Sequence, residues 1–340
     1  MRERIVTPGR YSEEEEQYIA GLRPRRLAEY IGQKKLVEKL LVSLKAALKR
    51  GEPHEHMLIY GPPGLGKTTL AYILAEEMGT RLIVSSGPTL QRTGDLMGIL
   101  TNLEQGDVML IDEIHRLAPS VEEFIYPAME DFKVDFVVDK GAFARVINVP
   151  LKKFTLVGAT TRAGLISSPL RDRFGIVHHL GFYPPAELAE IVKRSAGILD
   201  IRIGDRAAFE VARRSRGTPR IANRLLRRVR DYCQVNSIAQ IDLASVNASF
   251  EMEGIDSAGL DDLDRRLIAT IVDYYNGGPV GIESIAAALN EESGTLEEMV
   301  EPYLLKIGFV KRTRNGRVVG DAAFTHLNLK KKGGIQKDLL

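Results

Sequence analysis

The chain has 340 residues, 44% hydrophobic and 27% charged, with a mean hydropathy of -0.11. That composition fits a soluble globular protein of two or three domains and excludes a disordered chain, a collagen-like repeat and a coiled-coil rod. Lys and Arg number 47 against 45 Asp and Glu, so any affinity for nucleic acid must come from local clustering.

The first residues, MRERIVTPGRYSEEEEQY, hold no apolar signal region, and no run downstream reaches the length of a membrane span. A cytoplasmic protein without a membrane partner is expected. Cys233 is the lone cysteine, which rules out a disulfide framework and a thiolate zinc site. None of the six histidines sits at metal-ligand spacing with acidic or thiol partners. Aromatic residues make up 6% and tryptophan is missing, which argues against gripping single strands by base stacking.

In chain order, MLIY (57–60), RLIVSS (81–86), DVMLID (107–112) and FTLVGATT (154–161) read as short buried strands. Amphipathic stretches such as KTTLAYILAEEM (67–78) and SVEEFIYPAMED (120–131) separate them. Continuous apolar strands alternating with helices predict a parallel α/β sheet covered on both faces. Residues 132–149 interrupt this rhythm and predict a β-hairpin turning around Asp139-Lys140-Gly141. Beyond FYPP (182–185) the pattern is helical as far as 253. Two further helices are expected over 261–275 and 282–289, and a third over 295–309. Two strands then flank Asn315-Gly316, the layout of a winged helix.

GPPGLGKT (61–68) follows a strand and opens a helix, the setting a Walker A loop requires. Gly61, Gly64 and Gly66 let backbone N–H groups curl around phosphates, Lys67 reaches the terminal phosphates, and Thr68 offers a hydroxyl to Mg²⁺. In VMLIDEIH (108–115) the polar strand end carries Asp112 for the metal shell and Glu113 to activate water. An acidic strand end alone often caps the next helix; coupled to the Walker loop it indicates an ATP- or GTP-hydrolysing domain. Thr160 and Thr161 end another strand, either capping it or facing the γ-phosphate. SPLRDRFG (168–175) carries two arginines, a solvated face or a finger offered to a neighbouring subunit. Arg220 follows Gly217-Thr218-Pro219 at a helix start, within reach of phosphates. The other arginines of 214–232 read as a solvated or intersubunit face. Between Pro302 and Gly320 lie Lys306, Lys311, Arg312, Arg314 and Arg317 with no acidic residue, a candidate phosphate-binding patch.

These motifs together resemble the RuvB family of AAA+ motors. The resemblance rests on LRPRRLAEYIGQ (22–33), the Walker motifs, GATTRAGLISSPLRDRFG (158–175), SRGTPRIANRL (215–225), GLDDLDRR, GGPVG, EPYL and RTRNGR, nearly the whole chain. It implies an AAA+ P-loop core over 1–182, an all-α lid over 183–253 and a winged-helix head over 254–340. By the same resemblance, ATP is held by Leu22, Arg23, Gly64, Leu65, Gly66, Lys67, Thr68, Thr69 and Tyr183, with Mg²⁺ on Thr68 and Asp112. Lys67, Glu113, Thr161 as first sensor, Arg173 as trans-acting finger and Arg220 as second sensor would carry catalysis. Glu130, Asp131 and Phe132 match a segment near the nucleotide of an adjacent subunit. Arg312 and Arg317 match the DNA contacts.

The implied function is ATP-driven branch migration of Holliday junctions by a homo-hexameric ring on duplex DNA. Its partners would be RuvA, docked through the 132–149 hairpin, and the RuvC resolvase. Two departures stand out. Ala142, Val146 and Asn148 differ from the family pattern in the hairpin, and RTRNGR replaces the commoner RTPRGR in the wing. Another DNA-associated AAA+ machine, or an ATP-switched DNA-binding regulator that does not translocate, is the rival reading.

Overall fold

The computed structural model describes residues 21–138 and 145–329. The chain divides into a unit that ends at Gly181 and a second that begins at Phe182.

The first unit is built on a five-stranded parallel sheet in the order β2-β3-β6-β1-β7. Its strands are β1 (Met57–Tyr60), β2 (Leu82–Ser86), β3 (Val108–Asp112), β6 (Thr155–Thr160) and β7 (Ile176–His179). Every residue of β6 is buried, so helices must cover both faces at the centre of the sheet. The edge strand β2 is largely half-exposed, with Val84 open to solvent. The sequence reading missed β7. Its Ile-Val-His-His has only two aliphatic residues, and it forms because β1 offers a free edge in register with it.

Helices α1 (Lys34–Arg50) and α2 (Lys67–Met78) each end at a left-handed glycine, Gly51 and Gly79. Helix α3 spans Thr93–Leu100, α4 spans Pro119–Glu130 and the short α5 spans Ser168–Asp172. Val121, Ile125 and Ala128 of α4 join Leu58, Met109, Ile111 and Leu156 of the sheet in one buried cluster. His54 and His56 are hydrogen-bonded, to Ser43 and to the Met129 carbonyl respectively, and burial lowers the pKa of both.

Strands β4 (Lys133–Val138) and β5 (Arg145–Pro150) pair antiparallel, from Lys133 opposite Pro150 to Val138 opposite Arg145. They form a separate two-stranded sheet. Val134 is buried in the cluster under α4, whereas Ile147 is exposed. The expected turn at Asp139-Lys140-Gly141, and with it Ala142, lies outside the described residues.

The second unit opens with α6 (Pro185–Ile198), α7 (Asp205–Arg213), α8 (Pro219–Val235) and α9 (Leu243–Met252). Next come α10 (Asp262–Tyr275) and α11 (Ile282–Leu289). The third helix expected over 295–309 is shorter and interrupted: a π-turn at Leu296–Val300 leads into α12 (Glu301–Lys306). Pro302 has no N–H to give the helical ladder, which accounts for the shift in hydrogen bonding ahead of it.

Strands β8 (Val310–Thr313) and β9 (Gly316–Val319) pair with Arg312 opposite Arg317, and α13 (Asp321–His326) follows. The turn residues are therefore Arg314 and Asn315, one position earlier than expected. Gly316 starts β9 at φ 129, where a Cβ would run into the Val280 backbone. Val280 bridges Arg317 as a rudimentary third strand. Leu267, Ile271, Ile285, Leu304, Val310 and Val319 share one core. Parallel-sheet P-loop architecture, helical lid and winged helix are all present.

Candidate functional site

The Walker loop sits where the carboxyl ends of the central strands meet solvent, the usual binding edge of an open parallel sheet. Tyr60 ends β1 opposite Thr160 of β6, and the next residue, Gly61, donates its N–H to the Thr160 carbonyl at 3.2 Å. Gly61 takes φ 147, and a Cβ there would collide with the carbonyl of Leu180. Gly64 and Gly66 also have positive φ, 79 and 100, so the loop curls with its amides turned inward. Leu65 is buried and anchors the loop from beneath.

Lys67 starts α2 and is buried, its Nζ donating to the carbonyls of Gly61 at 2.8 Å and Pro62 at 2.9 Å. The lysine thus lies across the loop it serves. Thr68 and Thr69 occupy the first turn of α2, half-buried, at the positive end of the helix dipole.

Asp112 ends β3, and its Oδ1 accepts the Glu113 N–H at 2.9 Å. Glu113 adopts φ 48, a left-handed conformation that a glutamate holds only when its surroundings impose it. Its Oε2 pairs with Arg116 Nη1 at 3.0 Å. Thr160 is buried: its Oγ1 meets Nδ1 of His115 at 3.0 Å and accepts the Arg162 N–H at 2.9 Å. Thr161 follows the strand end and is half-exposed. Thr68 carries a hydroxyl and Asp112 a carboxylate, the kinds of oxygen donor that suit a divalent cation bound to phosphates. No cluster of three or more metal-binding side chains occurs among the described residues.

Arg173 follows α5 as its C-cap and is brought to the end of α4. Its Nη2 pairs with Glu130 at 3.1 Å, its Nη1 donates to the Pro169 carbonyl at 2.7 Å, and its guanidinium lies 4.2 Å from the Tyr126 ring centroid. Its Nε is buried without a hydrogen-bond partner. Asp131 and Phe132 continue from Glu130 with Phe132 at φ 51, and Asp131 pairs with Lys133 at 2.9 Å. The finger candidate and the Glu130–Phe132 segment therefore share one surface. Leu22 is buried, and the Arg23 guanidinium lies 5.3 Å from the Tyr72 ring centroid on α2.

In the second unit, Tyr183 is buried and donates its N–H to the Gly217 carbonyl at 2.9 Å. Arg220 stands half-buried in the first turn of α8, behind the Thr218 cap and Pro219.

The wing's basic residues divide into distinct classes. Glu301, with a side chain only 3% exposed, pairs with both Arg312 and Arg317. Arg317 also meets Glu297 at 2.9 Å and is 13% exposed, whereas Arg312 is 54% exposed. Burial alone would raise the Glu301 pKa, but hydrogen bonds from Arg317 and Arg312 outweigh it and hold the carboxyl below its ordinary value. Lys306 does not belong to the phosphate patch that its sequence position suggests: its Nζ lies 4.4 Å from the Phe182 ring centroid, and burial lowers its pKa. Lys311, Arg312 and Arg314 are the exposed cations.

Sequence reasoning missed Arg116 beside Glu113, His115 beside Thr160, Tyr126 beneath Arg173 and Glu301 beneath the wing. Only the i,i+3 spacing of Glu113 and Arg116 left a trace in the chain. The other pairings join distant segments.

The RuvB P-loop domain family, described as a Holliday junction DNA helicase, matches residues 22–180. The RuvB AAA lid domain matches 183–256 and the RuvB C-terminal winged helix domain 257–328. Among solved structures, the Thermotoga maritima RuvB Holliday junction branch migration motor is 50% identical, with a TM-score of 0.84 over 91% of this chain and 99% of that one. Two substituted forms of the Thermotoga protein match with the same identity and coverage at a TM-score of 0.85. With all three segments matched and this identity over most of its length, the chain belongs to the RuvB family.

Proposed function

We propose that the chain is an ATP-hydrolysing motor that forms a homo-hexameric ring on duplex DNA and drives branch migration of Holliday junctions. The observation that carries this reading is the convergence of the Walker loop, Asp112-Glu113 and Thr160-Thr161 at one edge of the sheet. Gly64, Leu65, Gly66, Thr68 and Thr69 would bind the phosphates, and Lys67 would exchange its two loop carbonyls for phosphate oxygens. Mg²⁺ on Thr68 and Asp112 would supply charge neutralisation as the γ-phosphate leaves. Glu113 would accept the proton of the attacking water at Oε1 while Arg116 steadies Oε2.

Arg173 would stabilise the charge developing on a neighbour's nucleotide, beside Glu130, Asp131 and Phe132 of its own chain. Leu22, Arg23 and Tyr183 are proposed to surround the adenine, with Thr161 and Arg220 reading nucleotide state. The proposed domains are an ATPase core over 1–182, a lid over 183–253 and a head over 254–340. Arg312 and Arg317 would hold phosphates rather than read bases, as moving along a duplex of any sequence requires. RuvA docking through 132–149, a larger complex with RuvC and a cytoplasmic location complete the proposal.

The test is migration of a synthetic four-way junction with ATP, with and without RuvA. ATP-dependent migration supports the motor. Hydrolysis and nucleotide-sensitive DNA binding without any strand displacement would overturn it in favour of the regulator.

A further inference from the structure

Arg216 lies in the loop between α7 and α8, four residues before Arg220. It is a long cation in a position that a solvated arginine face would leave open, yet its side chain is 2% exposed. Both of its Nη atoms donate to Asp264 of α10, whose side chain is fully buried. Its Nε donates to the Gly259 carbonyl at 2.9 Å, and Asp261 stands 3.7 Å from Nη2. The guanidinium lies 5.4 Å from the Tyr303 ring centroid, and Tyr303 donates its hydroxyl to the Ala258 carbonyl at 2.6 Å.

Asp264 serves two purposes at once. With Asp261 it closes the capping box that starts α10, so the arginine docks directly on the first turn of the winged helix. The flanking arginines reach the same connection: Arg213 donates to the Ser257 carbonyl at 2.6 Å, and Arg214, held on α9 through Asn247 at 2.6 Å, donates to the Ile255 carbonyl at 3.4 Å. Arg216 itself holds φ 56, a left-handed conformation that side-chain anchoring maintains against its backbone cost. A buried ion pair is a poor source of net stability compared with apolar packing, and its best-attested use is to specify one arrangement.

We propose that Arg216 and Asp264 are positioning residues that latch the winged-helix head to the lid. In this scheme the segment carrying Arg220 and the head move as one body. This rests on the motor reading above, with the added step that hydrolysis displaces the lid and that this displacement moves DNA. The latch would transmit that displacement, and without it the head would swing freely while hydrolysis continued.

The full-length Arg216→Met, Asp264→Asn double variant removes both charges together and keeps an acceptor for the capping box. Its folding is checked by its melting transition. DNA-independent ATPase and duplex binding should stay within about two-fold of wild type, while junction migration per ATP hydrolysed should fall about ten-fold, the size of an ordinary coupling between sites. Arg216→Lys, which retains the charge, should recover part of that ratio. An unchanged ratio in a folded double variant would overturn the latch.

Should the double variant fail to fold, hydrogen exchange on the wild-type protein decides. Amides of 257–264 should keep the same protection with and without a non-hydrolysable ATP analogue. Selective deprotection in one nucleotide state would show the head moving independently and refute the proposal. A wild-type chain that hydrolyses ATP but migrates no junction refutes the motor reading instead, and the exchange experiment still tests the latch.

Discussion

Arg312 and Arg317 face each other across the wing hairpin, but their surroundings predict different consequences on truncation. Arg312 is 54% exposed, and when it is removed Glu301 keeps its second partner. The stability cost of Arg312→Ala should therefore be that of a solvent-screened pair, about 1 kcal/mol or less. Arg317 is 13% exposed and is the nearer-to-buried partner of a carboxylate that is itself 3% exposed. Truncating it removes hydrogen bonds to both Glu301 and Glu297 and leaves Arg312 as the remaining arginine on the buried carboxylate, a cost on the order of 2–3 kcal/mol. At roughly 4–8 °C per kcal/mol for a domain of this size, the head should melt at least about 8 °C lower in Arg317→Ala.

DNA binding gives a second readout of the pair. Removing one cation that holds a phosphate should lower the slope of log affinity against log salt by about 0.9. Arg312→Ala should show that full decrease in fluorescence anisotropy with duplex DNA, similarly across sequences, with its melting transition nearly unchanged. In the double alanine variant the slope should fall by up to about 1.8, measured well below its melting transition. A wild-type salt slope in Arg312→Ala would refute the wing as the phosphate grip. Equal melting of the two single variants would refute the division of labour around Glu301.

Replacing Glu113 by Gln keeps its shape and removes the base, so ATP should still bind in equilibrium titration while phosphate release falls on the order of 10²-fold or more. Near-normal turnover would exclude Glu113 as the water-activating group. Arg173→Ala should hydrolyse poorly yet retain nucleotide affinity, and mixing it with Lys67→Ala subunits should restore some activity, since intact pockets then face intact fingers. No recovery at any ratio, with subunit exchange confirmed, would count against a finger acting in trans. The lowered pKa of Glu301 gives a pH signature. Its stabilising share is present above the unfolded value of 4.5 and is lost as pH falls through the lower folded value. Denaturant melts taken from neutral pH downward should show that loss in wild type and a shallower one in Glu301→Gln.

The nucleotide-binding edge was legible in the chain because its chemistry is local. Gly61 to Thr68 form one continuous loop, and Asp112-Glu113 are neighbours at the end of an apolar run, so residue types and short spacings carry the information. The central strands were legible for a related reason: burial on both faces demands unbroken apolar segments, as in β3 and β6. Strand β7 escaped because an edge strand needs little apolar surface, and its pairing with β1 is a property of the assembled sheet.

What an arginine does was decided by tertiary structure. Arg173, Arg216, Arg312 and Arg317 look alike as members of basic stretches. One is brought against Tyr126 and Glu130, one is buried on Asp264, and two share Glu301 to very different depths. A guanidinium carries the same charge everywhere along the chain. Its exposure and its carboxylate partner, which comes from another element in each case, determine whether it can meet a phosphate or must stay to hold the fold.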